Sequence, residues 1–541
     1  MAEYVLGLDF GSLSARALIM DLKTGKELGA AVCPYPHGIL DQALPDGTEL
    51  PHGFVLQLPE DYWHGMRVCV REAIAAAGVP KHKIKGIGIC TTASTILPTL
   101  ADGTPLCELK AFEHNPHAYM KMWKHHGAIE IAEQMKQLAA KRNEKWYKEY
   151  GHVITCEWLI PKALELAMHA PETYKKAAHI FEVGDWLVYR LTGTCSRSIA
   201  VARCNGMMRE KERPSSQYFS EICPFAANIV QEKLSGIYQP IGSIAGYLTE
   251  DAAEFLGLEK GTPVGPAVVD CYATVLASGA CQAGDLTMIV GTSAIEILLT
   301  DKPKYVEGIH ISAQDSAVPG LYSLGGGQSC VGDGFDWFIN NCLPPNVWNA
   351  AKKENKNIHT YLMEKAEKLQ PGSSGLLALD WWNGLRSPSF RFDLSGCIFG
   401  FTLHTRPEEI YRTMLEASVF GARRVIDRML SAGCTVDRIF AGGGISQKNA
   451  LMMQIYADVL QRRIDVCESQ QTGARGSVML GAMAAGWSLD HVLENMSSTI
   501  SKSYIPNKDV GEKYEKLYQA YLKAAEWLES DESPIYKLRR A

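Results

Sequence analysis

Two short stretches of this chain, almost a half-chain apart, carry the same plan, and that repetition constrains what it can fold into. The first runs Leu6-Gly7-Leu8-Asp9-Phe10-Gly11-Ser12-Leu13-Ser14-Ala15-Arg16: an apolar strand ending in an acid, a tight turn of small polar residues, then a second strand, Ala17 to Met20. The other, Asp285 to Leu299, repeats apolar strand, glycine with small hydroxyl residues (Gly291-Thr292-Ser293), and apolar strand. Glycine lets a backbone approach a ligand closely, and the amides and hydroxyls of Gly11, Ser12 and Ser14 can donate to phosphate oxygens. Asp9, at its strand tip, is placed to hold a metal that bridges such phosphates. The first hairpin alone reads equally well as the opening of an ordinary α/β protein with an exposed aspartate. Its second copy suggests a duplicated fold closing on one nucleotide from two sides.

A third unit, Arg438-Ile439-Phe440-Ala441-Gly442-Gly443-Gly444-Ile445-Ser446, runs from a strand into glycines and then a helix over Gln447 to Leu460. No side chain blocks such a turn, so it can accept a flat base or a ribose. Asp270 ends the apolar run Gly265 to Val269. A carboxylate facing a cleft there can take the proton of a hydroxyl that accepts a phosphoryl group. Equally, it can cap the helix that starts at Cys271. The chain has no G-x-x-x-x-G-K-[ST], no H-E-x-x-H, no G-x-S-x-G and no C-x-x-C, which argues against a P-loop enzyme, catalytic zinc and a hydrolase elbow.

At 541 residues the chain supports about two to four domains on a prior of roughly 150 residues each. Elements alternate: strands over Tyr4 to Asp9, Ala15 to Leu22, Gly29 to Cys33 and Ile84 to Cys90, and helices over Glu60 to Ala77, Ala128 to Ala140, Pro161 to Met168 and Asp185 to Leu191. Later come a long helix from Pro407 to Leu430, a small-residue helix over Gly473 to Gly486, and a charged amphipathic helix from Val510 to Ser530 expected to pack on the second domain. The pattern predicts α/β layers with parallel strands. The Gly-Thr-Pro-Val-Gly-Pro segment at 261–266 places the expected boundary between domains 1–264 and 265–541. A net charge of −6 without a basic run makes nucleic acid and anionic membrane poor partners. The start of the chain lacks a signal-peptide pattern, no apolar run reaches the ~20 residues of a membrane helix, and 15 scattered cysteines fit a reducing compartment; the expectation is cytoplasmic.

Taken in order, Gly-Leu-Asp-Phe-Gly-Ser, Val-Val-Asp-Cys, Val-Gly-Thr-Ser and Ala-Gly-Gly-Gly-Ile-Ser-Gln-Lys-Asn resemble the FGGY carbohydrate kinases across most of the chain. Segments 92–95, 113–126, 327–329 and 379–388 resemble the branch acting on the ketopentose ribulose. The resemblance implies two actin-like (ribonuclease H-like) ATPase domains with the active site in the cleft between them. It implies ATP and Mg2+ as cofactors, a small sugar as substrate, a terminal hydroxyl as acceptor, and a homodimer. It makes Asp270 the catalytic base and gives Asp9 the metal. Gly11, Ser12, Ser14, Arg16, Gly291, Thr292 and Ser293 would meet the phosphates, and Gly443, Gly444 and Asn449 the adenosine. Ala93, Trp123 and Asp270 would border the sugar. Two positions depart from that branch: Gly325 stands where it carries a glutamate, and Arg209 where it carries a lysine. These departures leave room for another ketose or a sugar alcohol. An ATP-binding switch or a sugar sensor on the same fold is the reading from outside catalysis.

Overall fold

The computed structural model describes residues 3–210, 212–530 and 533. Its N-terminal sheet begins with β1 (Tyr4–Phe10), β2 (Ser14–Asp21) and β3 (Glu27–Pro34), and continues with β4 (Ile84–Thr91), β5 (Gly246–Tyr247), β6 (Pro263–Val264) and β7 (Val268–Val269). The spatial order is β5-β6-β4-β1-β2-β3, with β7 also pairing β4. β1 runs antiparallel to β2 and parallel to β4. Six of its seven residues are buried, so the strand reads as a continuous apolar run, as expected where both sheet faces are covered.

The second sheet repeats this arrangement. It comprises β8 (Asp285–Val290), β9 (Ala294–Thr300), β10 (Ile311–Gln314), β11 (Tyr322–Gln328), β12 (Arg438–Gly442), β13 (Ile464–Cys467) and β14 (Ile500–Tyr504). Its order is β10-β11-β9-β8-β12-β13-β14. β8 is antiparallel to β9 and parallel to β12, as β1 is to β2 and β4. The duplication suspected from two hairpins is therefore a duplication of whole sheets.

Two helices are sandwiched at the join: α1 (Asp270–Ala277) and, from the far end of the second domain, α2 (Thr472–Ala484). α2 lies on β1 and β4 of the first sheet, where Gly7 and Gly88 have no side chain to hold it off. A Cβ on Gly88 would sit 1.8 Å from the Ser477 carbonyl oxygen, and one on Gly7 would sit 2.2 Å from that of Ala474. One buried apolar cluster spans the join, with Val5 and Cys90 from the first domain, Ile297 and Phe440 from the second, and Tyr272 and Val478 from the two helices.

Strand pairing with the first sheet continues past the expected boundary at 264/265. Val268 and Val269 still pair with Cys90 and Thr91 of β4, so the chain leaves the first sheet only at Asp270. The helix expected over Gln447 to Leu460 is two, Gly444–Lys448 and Ala450–Leu460, because the Asn449 side chain accepts from the Met452 amide and caps the second. The terminal helix, Lys508–Glu529, packs Tyr514, Tyr518, Tyr521, Ala525 and Leu528 into the second domain's core. A small four-stranded sheet, in the order Leu56–Gln57, Met120–Lys121, Ile96–Thr99 and His179–Glu182, forms an accessory layer on the first domain.

Candidate active site

The first hairpin turns at Gly11, whose amide donates to Ser14 O at 3.0 Å; in the second, the Gly291 amide donates to Ser293 O at 2.9 Å. Both turns leave small side chains at least partly open to solvent: Ser12 and Ser14 in one, Thr292 and Ser293 in the other. Asp9 is buried at the end of β1 and paired in register with Arg16, whose Nη1 donates to Asp9 Oδ2 at 3.0 Å. Arg16 thus holds the acid in place while its own side chain stays partly exposed.

Asp270 follows β7 on the far side of β4. Asp9 is level with Cys90 of β4, and Val269 is level with Thr91. The two acids therefore stand two strand spacings apart, about 10 Å between backbones at ~4.8 Å per strand. Asp270 is the first residue of α1 rather than its cap, and its Oδ1 accepts from the Cys271 amide at 2.7 Å, so one carboxylate oxygen is fixed by backbone and the second is not. Burial, and then the charge of Asp9, push its carboxyl up to about 7. Such a value places a proton acceptor near neutrality, where general-base catalysis is most effective.

Ala93 lies in the turn after β4, and Trp123 follows the accessory strand Met120–Lys121. A buried lysine absent from the sequence analysis, Lys162, brings them together. Its Nζ donates to the carbonyls of Ser94 at 2.8 Å, Met122 at 2.6 Å and Trp123 at 3.5 Å. Its signal in the sequence was a lone cation inside the apolar helix Leu159–His169. The Trp123 indole N–H in turn donates to Ser12 Oγ at 3.0 Å, tying this wall to the phosphate-type hairpin. Trp123 is thus joined to Ser12 directly and to the turn carrying Ala93 through Lys162, beside the strand end that carries Asp9.

Gly325 sits in β11 opposite Ile297, and so shares the sheet face of Ile297, which packs in one cluster with Tyr272 and Cys204. It therefore belongs to the side of the second sheet turned toward the first domain. Arg209 does not join the group. Its guanidinium donates to the carbonyls of Ser312 and Glu149 and lies 3.5 Å from the Tyr150 ring centroid. It lines a separate peripheral cavity of about 470 Å³ with Arg142 and Trp146. With those donors committed to backbone, Arg209 stitches the domains together away from Trp123 and Asp270.

On the second domain Gly443 has φ +93°, and a Cβ there would sit 2.5 Å from Val290 O, so glycine alone suits the turn. Gly444 is exposed, and a Cβ on it would meet nothing within 4 Å. This bare patch beside β8 is open to a flat group. Asn449 is buried behind it with its amide oxygen committed to the helix cap. No cluster of three or more His, Cys, Asp or Glu suited to a metal occurs among the described residues. Two carboxylates facing one cleft instead suit a divalent ion that takes its remaining oxygens from phosphates. No helix among the described residues is long and apolar enough to cross a membrane.

Comparison with known proteins gives concordant results. The models of the two domains of the FGGY family of carbohydrate kinases match residues 4–277 (N-terminal domain) and 286–485 (C-terminal domain). A ribulokinase of Geobacillus thermodenitrificans is 39% identical over 99% of this chain and 96% of its own length. A ribulokinase of Halalkalibacterium halodurans is 38% identical over 100% and 97%. Among solved structures, a xylulose kinase of Rhodospirillum rubrum superimposes with a TM-score of 0.80 at 21% identity, covering 99% of this chain and 100% of the other. A glycerol kinase of Plasmodium falciparum with ADP gives 0.74 at 18% identity, covering 97% and 98%.

Proposed function

This chain belongs to the FGGY family of carbohydrate kinases, and we propose from that premise that it transfers the γ-phosphoryl group of ATP to the terminal hydroxyl of ribulose. The observation that carries the chemistry is Asp270: a carboxyl pushed up to about 7, with one oxygen pinned by Cys271 N and the other free. The choice of ribulose rests on ribulokinases 36–40% identical over nearly the whole chain.

The acceptor hydroxyl loses its proton to Asp270 Oδ2 as its oxygen forms a bond to the γ-phosphorus. The bond from that phosphorus to the bridging oxygen of ADP breaks in line. The turns at Gly11–Ser14 and Gly291–Ser293 bind the phosphates from opposite sides, and Gly443 and Gly444 offer the adenosine an unblocked surface. Asp9, held by Arg16, would hold magnesium, which supplies charge neutralisation on the phosphates when bound. The Trp123 ring and Ala93 wall the sugar and exclude water. We place the reaction in the cytoplasm.

Coupled ADP release, measured over ketopentoses, ketohexoses and polyols, tests this reading. Ribulose is expected to give the strong response, absent in Asp270→Asn. ADP release indifferent to any sugar would overturn it. Gly325 favours one second reading, another ketose or a sugar alcohol: a position without a side chain on the cleft-facing side of β11 recognises no sugar hydroxyl. A single strong response to a different acceptor would select that reading.

A further inference from the structure

The wall of the proposed sugar site is built by the first domain, yet one cation laid upon it comes from the second. Arg386 lies in a loop fastened to β11. The Ser387 amide donates to Gly327 O at 3.2 Å, and the Gly327 amide donates to Ser387 Oγ at 3.2 Å. From this anchorage the Arg386 side chain crosses to the first domain. Its Nη2 donates to both oxygens of Glu157, at 2.9 and 2.8 Å. Its guanidinium carbon lies 5.6 Å from the centroid of the Trp123 ring, within cation–π range. The side chains of Arg386 and Glu157 are 13% and 14% exposed, so the pair is shielded from solvent and from salt in a way surface pairs are not.

Trp123 is thereby held at three points. Lys162 takes its carbonyl, Ser12 takes its indole N–H, and Arg386 covers its face. Two of these holds come from the first domain and exist whatever the second domain does. The third exists only when the second domain is in place. His126 reinforces it from the first domain, with Nε2 3.5 Å from Glu157 Oε1, and its ring packs against Phe392 of the Arg386 loop.

We infer that Arg386 is a positioning residue for the sugar, a latch across the cleft that fixes the Trp123 ring only when the two domains close and so links sugar seating to the Ser12 hairpin. This rests on the sugar-kinase reading above. Nothing in the latch touches the adenosine side at Gly443 and Gly444, so its removal bears on the sugar and on turnover, not on ATP affinity. Arginine is required for the ring rather than for the carboxylate: Nη2 alone meets both Glu157 oxygens, as a lysine nitrogen could, but only the planar guanidinium can do so while also covering the Trp123 face.

The test is steady-state kinetics of the full chain on whichever sugar the wild type phosphorylates best. Arg386→Met and the near-isosteric Glu157→Gln are each expected to lower kcat/KM for the sugar by about 10- to 100-fold, while KM for ATP stays within about twofold. Arg386→Lys should recover only part of the loss. In a double-mutant cycle, Trp123→Leu, which removes the ring that Arg386 covers, combined with Arg386→Met should cost no more than the worse single change, since both break the ring–guanidinium contact. A merely structural ion pair would lower thermal stability and leave the sugar-to-ATP asymmetry absent. Unchanged sugar kinetics in Glu157→Gln, or additive losses in the cycle, would overturn the latch with the kinase reading intact. ADP release without dependence on any sugar in the wild type would overturn both. Should Arg386→Met fail to fold, Glu157→Gln and Arg386→Lys decide the matter alone.

Discussion

Asp270 is the residue on which a quantitative prediction can be built. Its carboxyl is raised from 3.8 to about 7, first by burial and second by the charge of Asp9. At ~1.36 kcal/mol per unit, that is about 4 kcal/mol held against the ionised form, a ceiling because the side chain is only half-buried at the cleft floor. The reaction needs the ionised form, so kcat/KM for the sugar should fall on the acid side with an apparent pKa near 7, reaching about one tenth of its plateau at pH 6. Asp9→Asn should move that limb to lower pH, since it removes the second cause and leaves the first. Stability has the opposite sign. A carboxyl whose folded pKa exceeds its unfolded value favours the fold fully below about pH 4, and that contribution is lost as pH rises to about 7. Asp270→Asn should therefore be more stable than the wild type at pH 8, with the gap closing as the pH falls toward 4. On the plateau above pH 7 turnover should drop by about 10²-fold or more, with the gap narrowing on the acid limb where the wild type itself loses the ionised form. Rate profiles by coupled ADP release and denaturant melts at pH 4, 6 and 8 read both effects. An acid limb near pH 4, or an Asn variant that turns over normally or is less stable at pH 8, would refute the reasoning.

Three further outcomes follow from the geometry. Gly88→Ala places a Cβ 1.8 Å from the Ser477 carbonyl, a backbone atom that cannot swing aside, and should cost about 2–4 kcal/mol in denaturant unfolding. Gly444→Leu points into open space, so it should leave the melting temperature nearly unchanged and raise KM for ATP severalfold while KM for the sugar holds. Arg209→Ala should leave KM for the sugar within about twofold and show its effect in thermal unfolding, because its guanidinium is spent on Ser312, Glu149 and Tyr150.

Much of this architecture is written locally. β1 and β8 are legible because a strand buried on both faces must be apolar throughout, and the small residues after each can only be a tight turn. Helices such as Pro407–Ser431 and Lys508–Glu529 announce themselves by periodicity. The accessory sheet does not: strands of two to four residues are too short for alternation to show. Nor does the break at Asn449, because the apolar period runs through it and only the cap reveals two helices. Within the proposed site, the residues assigned to ligand were accessible as motifs or by family resemblance, but those that hold them were not. Lys162 acts on carbonyls 39–68 residues away, and Arg386 meets Glu157 across 229 residues. The first pairing needs the first domain to be folded and the second needs the two domains to have met, so no local pattern encodes either. The contact of Arg209 with Ser312 on β10 is hidden for the same reason, since its partner lies 103 residues away.

The central claim is that Asp270 deprotonates a sugar hydroxyl poised between two phosphate-binding hairpins. Phosphorus NMR of the product formed from ATP and ribulose tests it most directly. The wild type should give one phosphomonoester, on the terminal carbon, and Asp270→Asn none over the same interval. Inorganic phosphate in place of the ester, or the same ester from the Asn variant at the wild-type rate, would contradict it.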